Sequence, residues 1–261
     1  MDTMPLNVWT KYKDLLAKIS NEASSEFSYA VFNKNGLFKG VGLGCVPRDD
    51  LIDYAYALVT KYSEASTEAA CIFYDELAEL SGKFYPAAVP AETASISEVG
   101  KTINGSIANT NGSPEGVAAS ISRLVKLAGQ DTTLNNAIRD GAEFAWIPAG
   151  DTCAFCITLA SRGWQIASKK AMKKGHAEHI HGNCDCAYAV RFDGKMEYAG
   201  YDPEKYLDMY NSQSGTPKQK INAMRREAYA ENKEEINAQK RSAYAKRQEL
   251  NSSAAEEIDV S

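Results

Sequence analysis

Apolar side chains recur at helical spacing through the first half of the 261-residue chain. Within residues 6–27 they fall three, four or seven positions apart, on one face of an amphipathic helix. Residues 51–81 contain neither glycine nor proline and carry the longest apolar stripe, which runs from Leu51 through Ile72 to Leu80. Both stripes predict helices, and we expect these two helices to pack on each other because a long exposed apolar face needs a partner.

Local signals predict the ends of the long second helix. At about 1.5 Å per residue it is on the order of 45 Å long. Asp49 or Asp50 is expected to cap its first turn, and Gly82 is expected to end it. The glycine-rich residues 35–47 before it are predicted to form a structural loop, because they lack the spacing and the consecutive Lys-Ser/Thr of a phosphate-binding loop, and no clear strand and helix flank them.

Weaker patterns predict the remaining elements. Ser113-Pro114 combines a capping residue with proline in the first helical turn and opens a further helix. Other helices are predicted at 92–110 and 132–141, strands at 144–147 and 187–192, a polar linker at 212–220 and a charged helix at 218–250. The end, residues 251–261, is expected to be disordered.

Composition and charge exclude several classes of protein. Apolar residues make up 44% and charged residues 24% of the chain, which argues against disorder over its whole length. The net charge of −5 argues against a protein held on DNA by bulk positive charge. No apolar run is long enough for a membrane span, and the start of the chain lacks the features of a signal peptide. We therefore expect no membrane partner and no export, and cysteines that are reduced or bind metal.

Four of the six cysteines fall within residues 153–186 and form the strongest signal of chemistry. Cys153 and Cys156 make a C-x₂-C pair, and a second cluster follows after a loop. Zn²⁺ takes four tetrahedral sulfur or nitrogen ligands, so this spacing predicts a structural zinc site. The five candidate ligands are Cys153, Cys156, His181, Cys184 and Cys186, and spacing does not decide which two of the last three complete the set.

Two other interpretations of these cysteines remain open. A C-x₂-C pair between a strand and a helix is also typical of redox proteins, although the βαβ scaffold of a thioredoxin is not evident, and the thiols could simply be reduced. A thiolate-rich set with spare ligands favours a closed structural zinc site over a catalytic one.

We expect no enzyme activity, because the three histidines all lie beside the cysteines and no hydrolase, metalloprotease or Walker motif occurs.

A cluster of four lysines lies between the two cysteine clusters. Residues 151–200 carry seven basic and five acidic groups and form the only positive segment of the chain. The four lysines are candidates for weak, sequence-independent contact with phosphate or with an acidic surface; the simpler interpretation is a solvated loop. They are Lys169, Lys170, Lys173 and Lys174.

The cysteine segment resembles the C-terminal signature of MuF-like phage minor head proteins. Residues 146–156, WIPAGDTCAFC, are followed by LASRG at 159–163 and by a His-x-x-Cys-x-Cys ending at 181–186. The helix at 53–62, DYAYALVTKY, is similar to the N-terminal region of such proteins from phages and prophages of Gram-positive bacteria. The motif lies within residues 146–186, and the tail beyond residue 200 resembles nothing in that family.

The resemblance implies a structural protein of the virion. Such proteins are minor capsid components that associate with the portal, enter the head during assembly and are thought to influence DNA packaging or ejection. It implies portal protein as a partner, scaffolding or major capsid protein and packaged double-stranded DNA as further ones, and a location inside the capsid after assembly in the host cytoplasm. The rivals are a metal-dependent enzyme, a nuclease or transferase, which would show turnover, and a zinc-ribbon DNA-binding regulator, which would show sequence-dependent affinity.

Together these patterns predict three parts. A mainly α, helical N-terminal domain is expected over residues 1–145, and a small α+β module stapled by zinc over 146–200. A linker and charged helical tail are expected over 201–261. The metal would stabilise a module too small to build a sufficient core alone.

Overall fold

The structure is a computed structural model that describes residues 3–40, 43–110, 112–148, 153–169, 186–192, 194–235, 237–238, 240–242 and 244–245. The helices are α1 (Leu6–Phe32), α2 (Arg48–Leu80), α3 (Ile96–Asn109), α4 (Pro114–Asp140), α5 (Ala154–Ala160), α6 (Pro203–Asn211) and α7 (Pro217–Glu231). The strands are β1 (Glu143–Ile147), β2 (Gln165–Ile166) and β3 (Ala187–Arg191), and a 3₁₀ turn spans Leu43–Cys45. None of the helices in these ranges is both long and apolar enough to cross a bilayer.

The two long N-terminal helices are confirmed, with one correction at a cap. Helix α2 follows Pro47, and no side chain caps it; Asp49 and Asp50 lie in its first turn, where acidic groups favour the positive end of the helix dipole. The prediction that one of them is the cap was therefore wrong. Gly82, with φ +67°, follows the last turn as predicted, since a left-handed position favours glycine.

Helix α4 is one continuous helix, where the sequence pattern predicted two. Ser113 caps it by accepting the N–H of Gly116, as its sequence signal indicates. Thr132 and Thr133 lie inside the helix, where their hydroxyls donate to the carbonyls of Ala128 and Gly129, at 2.9 and 3.2 Å. A separate helix at 132–141 was therefore a wrong prediction, because threonine hydroxyls bonded one turn back can stay inside a helix.

Helix α4 is also the central element of the bundle. It packs along α1 and α2 and against α3. Its contacts with α2 are more extensive than the contacts between α1 and α2. The buried face of α2 includes Ser63, Ser66 and Thr67, whereas the predicted core residues Ile72 and Leu80 are exposed. The small buried side chains of α2 allow α4 to lie close.

A three-stranded antiparallel sheet follows the bundle, in the order β2-β1-β3. Phe144 of β1 lies opposite Val190, and Trp146 lies opposite Tyr188. Both predicted strands are confirmed, and the fold is mainly helical with a small sheet, as expected. The metal that was expected to staple this part stays a prediction.

The sheet and the bundle share one apolar core. The ring of Trp9 in α1 packs edge-on against Tyr198, with centroids 5.1 Å apart, and the N–H of Met4 donates to the carbonyl of Glu197 at 2.8 Å. The division expected between residues 145 and 146 falls inside β1. Whether residues 1–145 fold alone remains a prediction.

The chain after residue 200 is more structured than a linker and a solvated helix. Helix α6 was not predicted, and α7 begins at Pro217 behind a capping box formed by Thr216 and Gln219. The helix expected over 218–250 is thus confirmed over its first part. The predicted disorder of 251–261 concerns residues outside the described ranges.

We expect Gly129→Ala to destabilise the protein by about 1–3 kcal/mol, because a Cβ there would lie 2.6 Å from the Ser66 hydroxyl and 3.0 Å from its carbonyl oxygen. Gly105→Ala is the matched control, since a Cβ at that helical glycine meets nothing within 4 Å and alanine favours helix. Urea unfolding of both variants measures the difference. Equal stability of the two variants would contradict the close approach of α2 and α4.

Candidate metal centre

The C-x₂-C pair lies at the start of the short helix α5. Cys153 is the N-cap residue, and the N–H of Cys156 donates to its sulfur at 3.5 Å. The two Sγ atoms are 3.5 Å apart, well beyond the about 2.05 Å of a disulfide bond. Two thiolates on one tetrahedral zinc, each at about 2.3 Å, lie about 3.8 Å apart. The pair therefore fits two adjacent corners of a zinc site.

The third described candidate, Cys186, is held by the helical bundle. It is buried, 6% exposed, and directly precedes β3. The side-chain amide of Gln130 in α4 donates to its carbonyl oxygen at 3.0 Å. Tyr206 of α6 packs against the same apolar core that contains Cys186.

The structure brings Cys153 and Cys156 together but leaves the full ligand set undefined. Within the described ranges no three cysteine, histidine or acidic side chains form a group that could hold a metal ion. His181 and Cys184 lie outside those ranges. The complete zinc site, including the part of Cys186 in it, accordingly stays a prediction.

Helix α5 is fixed from several sides. Ala154 and Ile157 are buried against Met224 of α7. The Tyr201 hydroxyl donates to the carbonyl of Ala160 at 3.2 Å, at the other end of α5. The cysteine pair is therefore positioned by the segment after residue 200, which sequence analysis treated as a separate tail.

A small cavity separates Cys186 from the first helix. Its volume is about 40 Å³, and the lining side chains include Lys13, Leu16, Lys126 and Gln130. Lys126 is 7% exposed, and the Gln130 Oε1 atom is buried without a hydrogen-bond partner among the described residues. Sequence analysis missed both residues; a glutamine and a lysine four positions apart on an otherwise apolar helix face were the available signal.

Of the lysine cluster, the structure describes one member. Lys169 is exposed, and Lys170, Lys173 and Lys174 lie outside the described ranges. Their role as a nucleic-acid contact is untested.

These features define a mainly helical protein with a small antiparallel sheet and a buried helix that carries a cysteine pair. The chain belongs to the VG15 protein family, which matches residues 7–213 and so covers the bundle, the sheet and α6. It is therefore a phage protein. No curated protein and no solved structure matches the chain.

We expect Gln130→Met to cost about 1 kcal/mol of stability, because the buried carbonyl of Cys186 loses a donor at 3.0 Å. The substitution should speed up amide hydrogen exchange more in β3 than in α2, because the bond ties this strand to α4. Gln213→Met is the control: its amide bonds only to the Glu227 carboxylate in an exposed contact, and such changes stay within about 0.5 kcal/mol. Unchanged exchange in β3 would show that the bond does not hold the strand.

Proposed function

We propose that this chain is a structural minor head protein of a tailed phage, of the MuF-like kind, associated with the portal inside the capsid. The observation that carries the proposal is its membership of a phage family over residues 7–213, combined with a cysteine pair in the geometry of metal ligands. The His-x-x-Cys-x-Cys ending at 181–186 adds the sequence resemblance to those head proteins. In this proposal the protein acts in head assembly, DNA packaging or ejection, and it performs no catalysis.

The proposal includes a structural zinc ion. Cys153 and Cys156 would hold it together with two of His181, Cys184 and Cys186. The ion would supply four strong bonds that join the start of α5 to the chain leading into β3. The residues around it act by position: Gln130 holds Cys186, and Ala154 and Ile157 fix the helix that carries the pair.

The partners in this proposal are head components. Portal protein is the first, and scaffolding or major capsid protein and the packaged double-stranded DNA are the others. The protein would be made in the host cytoplasm and end inside the virion.

Purified particles test the head assignment. Mass spectrometry of DNA-filled heads, washed at high salt, should detect the chain, and protease added outside intact particles should leave it uncut. Empty heads made without the portal should lack it. Absence of the chain from washed particles, or its digestion on intact ones, would refute the assignment.

We expect about one zinc ion per chain in protein prepared without chelators. Cys153→Ser should lose the ion and speed hydrogen exchange at residues 153–169, because structural metal binding is coupled to folding. Cys45→Ser is the matched control, since Cys45 is exposed in the turn before α2. Zinc content and local exchange are measured together. A zinc-free wild type, or a Cys153→Ser variant that retains zinc, would remove the metal from the proposal.

We also expect weak, sequence-independent DNA binding by the lysine cluster. Four phosphate contacts would give a salt slope of about −3.6, at about −0.9 per contact. Replacing Lys169, Lys170, Lys173 and Lys174 with alanine should abolish the binding at low salt. A control that removes the same charge elsewhere replaces Lys11, Lys83, Lys205 and Lys218, which are exposed. Equal binding by the two quadruple variants would exclude the cluster as the DNA contact.

A further inference from the structure

The chain between α2 and α3 is held along α4 through its backbone. The Asn136 amide bonds both backbone groups of Val89, at 2.8 and 2.9 Å. One turn away on either side, Arg139 donates to the carbonyl of Ala87 at 2.9 Å, and Thr132 accepts the N–H of Ala91 at 2.9 Å. Polar side chains one turn apart on α4 thus bind a peptide segment that has no regular secondary structure.

Helix α4 also lines an open cleft. The cleft has a volume of about 430 Å³ and lies between residues 92–94, α3 and α4. Leu124, Leu127 and Ala128 give it an apolar floor. Its size is within the range of about 300–1,000 Å³ that is typical of ligand sites.

Two opposite charges face this cleft from α4, and neither has a partner in the part of the chain that the structure describes. The side chains of Arg123 and Asp131 make no hydrogen bond or ion pair with any described residue. They lie eight residues apart, which is about 12 Å along a helix. Burial lowers the pKa of Arg123 and raises the pKa of Asp131 to about 6, so each charge is partly removed from water without compensation.

The charges around the cleft limit what can bind there. Arg123 and Lys101 are cationic, whereas Glu92, Glu98 and Asp131 are acidic. Three carboxylates would repel a polyanion such as DNA, so the cleft suits a ligand that carries both signs of charge. An apolar floor between two opposite charges fits a peptide with an acidic and a basic side chain and an apolar residue between them.

We propose that this cleft binds an extended peptide segment of a protein partner, whose carboxylate pairs with Arg123 and whose amine pairs with Asp131. The segment at 86–91 already lies on the neighbouring turns of α4, so a bound peptide would continue an existing mode of packing. Neither cysteine of the pair lines the cleft, and the test of this site does not depend on the head assignment.

Fluorescence anisotropy with the full chain tests the proposal. The probes are short capped peptides of leucine and alanine with one glutamate and one lysine, in both orders and at several spacings. We expect at least one of them to bind, and Arg123→Met and Asp131→Asn each to weaken it about ten- to hundredfold, as for loss of a charged hydrogen bond. Free lysine and glutamate at the same concentration should not compete, which distinguishes a peptide from small zwitterions.

Matched variants separate binding from folding. Arg226→Met and Asp208→Asn remove the same charges from exposed positions of α7 and α6 and should leave the affinity unchanged. Asp131→Lys should restore binding of a peptide in which glutamate replaces the lysine, and this charge swap tests the pairing directly.

The free protein gives an independent readout. Because the pKa of Asp131 is about 6 in the folded chain and 3.8 for an ordinary solvated aspartate, its charge destabilises the fold increasingly as pH rises from about 4 to 6. Asp131→Asn should therefore raise the thermal midpoint at pH 7.5 and leave it unchanged at pH 4, with Glu92, Glu98, Lys101 and Arg123 intact. No binding of any probe to the wild type, or equal affinity of wild type and both cleft variants, would overturn the proposal.

Discussion

The packing of the helices and the sheet depends on hydrogen bonds that buried polar side chains of α4 make to other elements. Thr133 bonds the Tyr12 hydroxyl of α1 at 3.0 Å, Gln130 bonds the carbonyl of Cys186, and Asn136 bonds Val89. Buried polar groups left without partners are costly, so each bond fixes the position of its element as well as adding stability. A helix with this many polar residues can be central because most of them are satisfied by chain segments packed on it.

This arrangement links the cysteine segment to the bundle. Cys186 is attached to α4 through its backbone, and Trp9 packs against Tyr198 beyond β3. A metal ion at the cysteine pair would then not need to supply a core for an isolated module, as the sequence suggested. It would fix the start of α5 relative to β3, between parts whose apolar faces already pack together.

Sequence patterns predicted the long helices and the strands that flank the cysteines, because burial there follows the period of the element. They failed where polar residues are buried: Ser63 and Ser66 lie inside while Ile72 is exposed, since close packing around Gly129 favours small side chains over apolar ones. Helix α6 was missed, although Asp202-Pro203 carries the same kind of start signal as Ser113-Pro114. The reason is that this helix has no stripe of fully buried side chains.

The candidate site was predicted in its chemistry but not in its surroundings. The C-x₂-C spacing indicates converging sulfur atoms, since a short turn brings both side chains to one side, and the Sγ atoms do lie 3.5 Å apart. The contacts of Gln130 and Met224 with the cysteine segment could not be predicted, because they form in the tertiary structure across 56 and about 70 residues of chain. Local spacing thus predicts which atoms can share a ligand, while the long-range contacts of α4 and α7 decide how firmly those atoms are held.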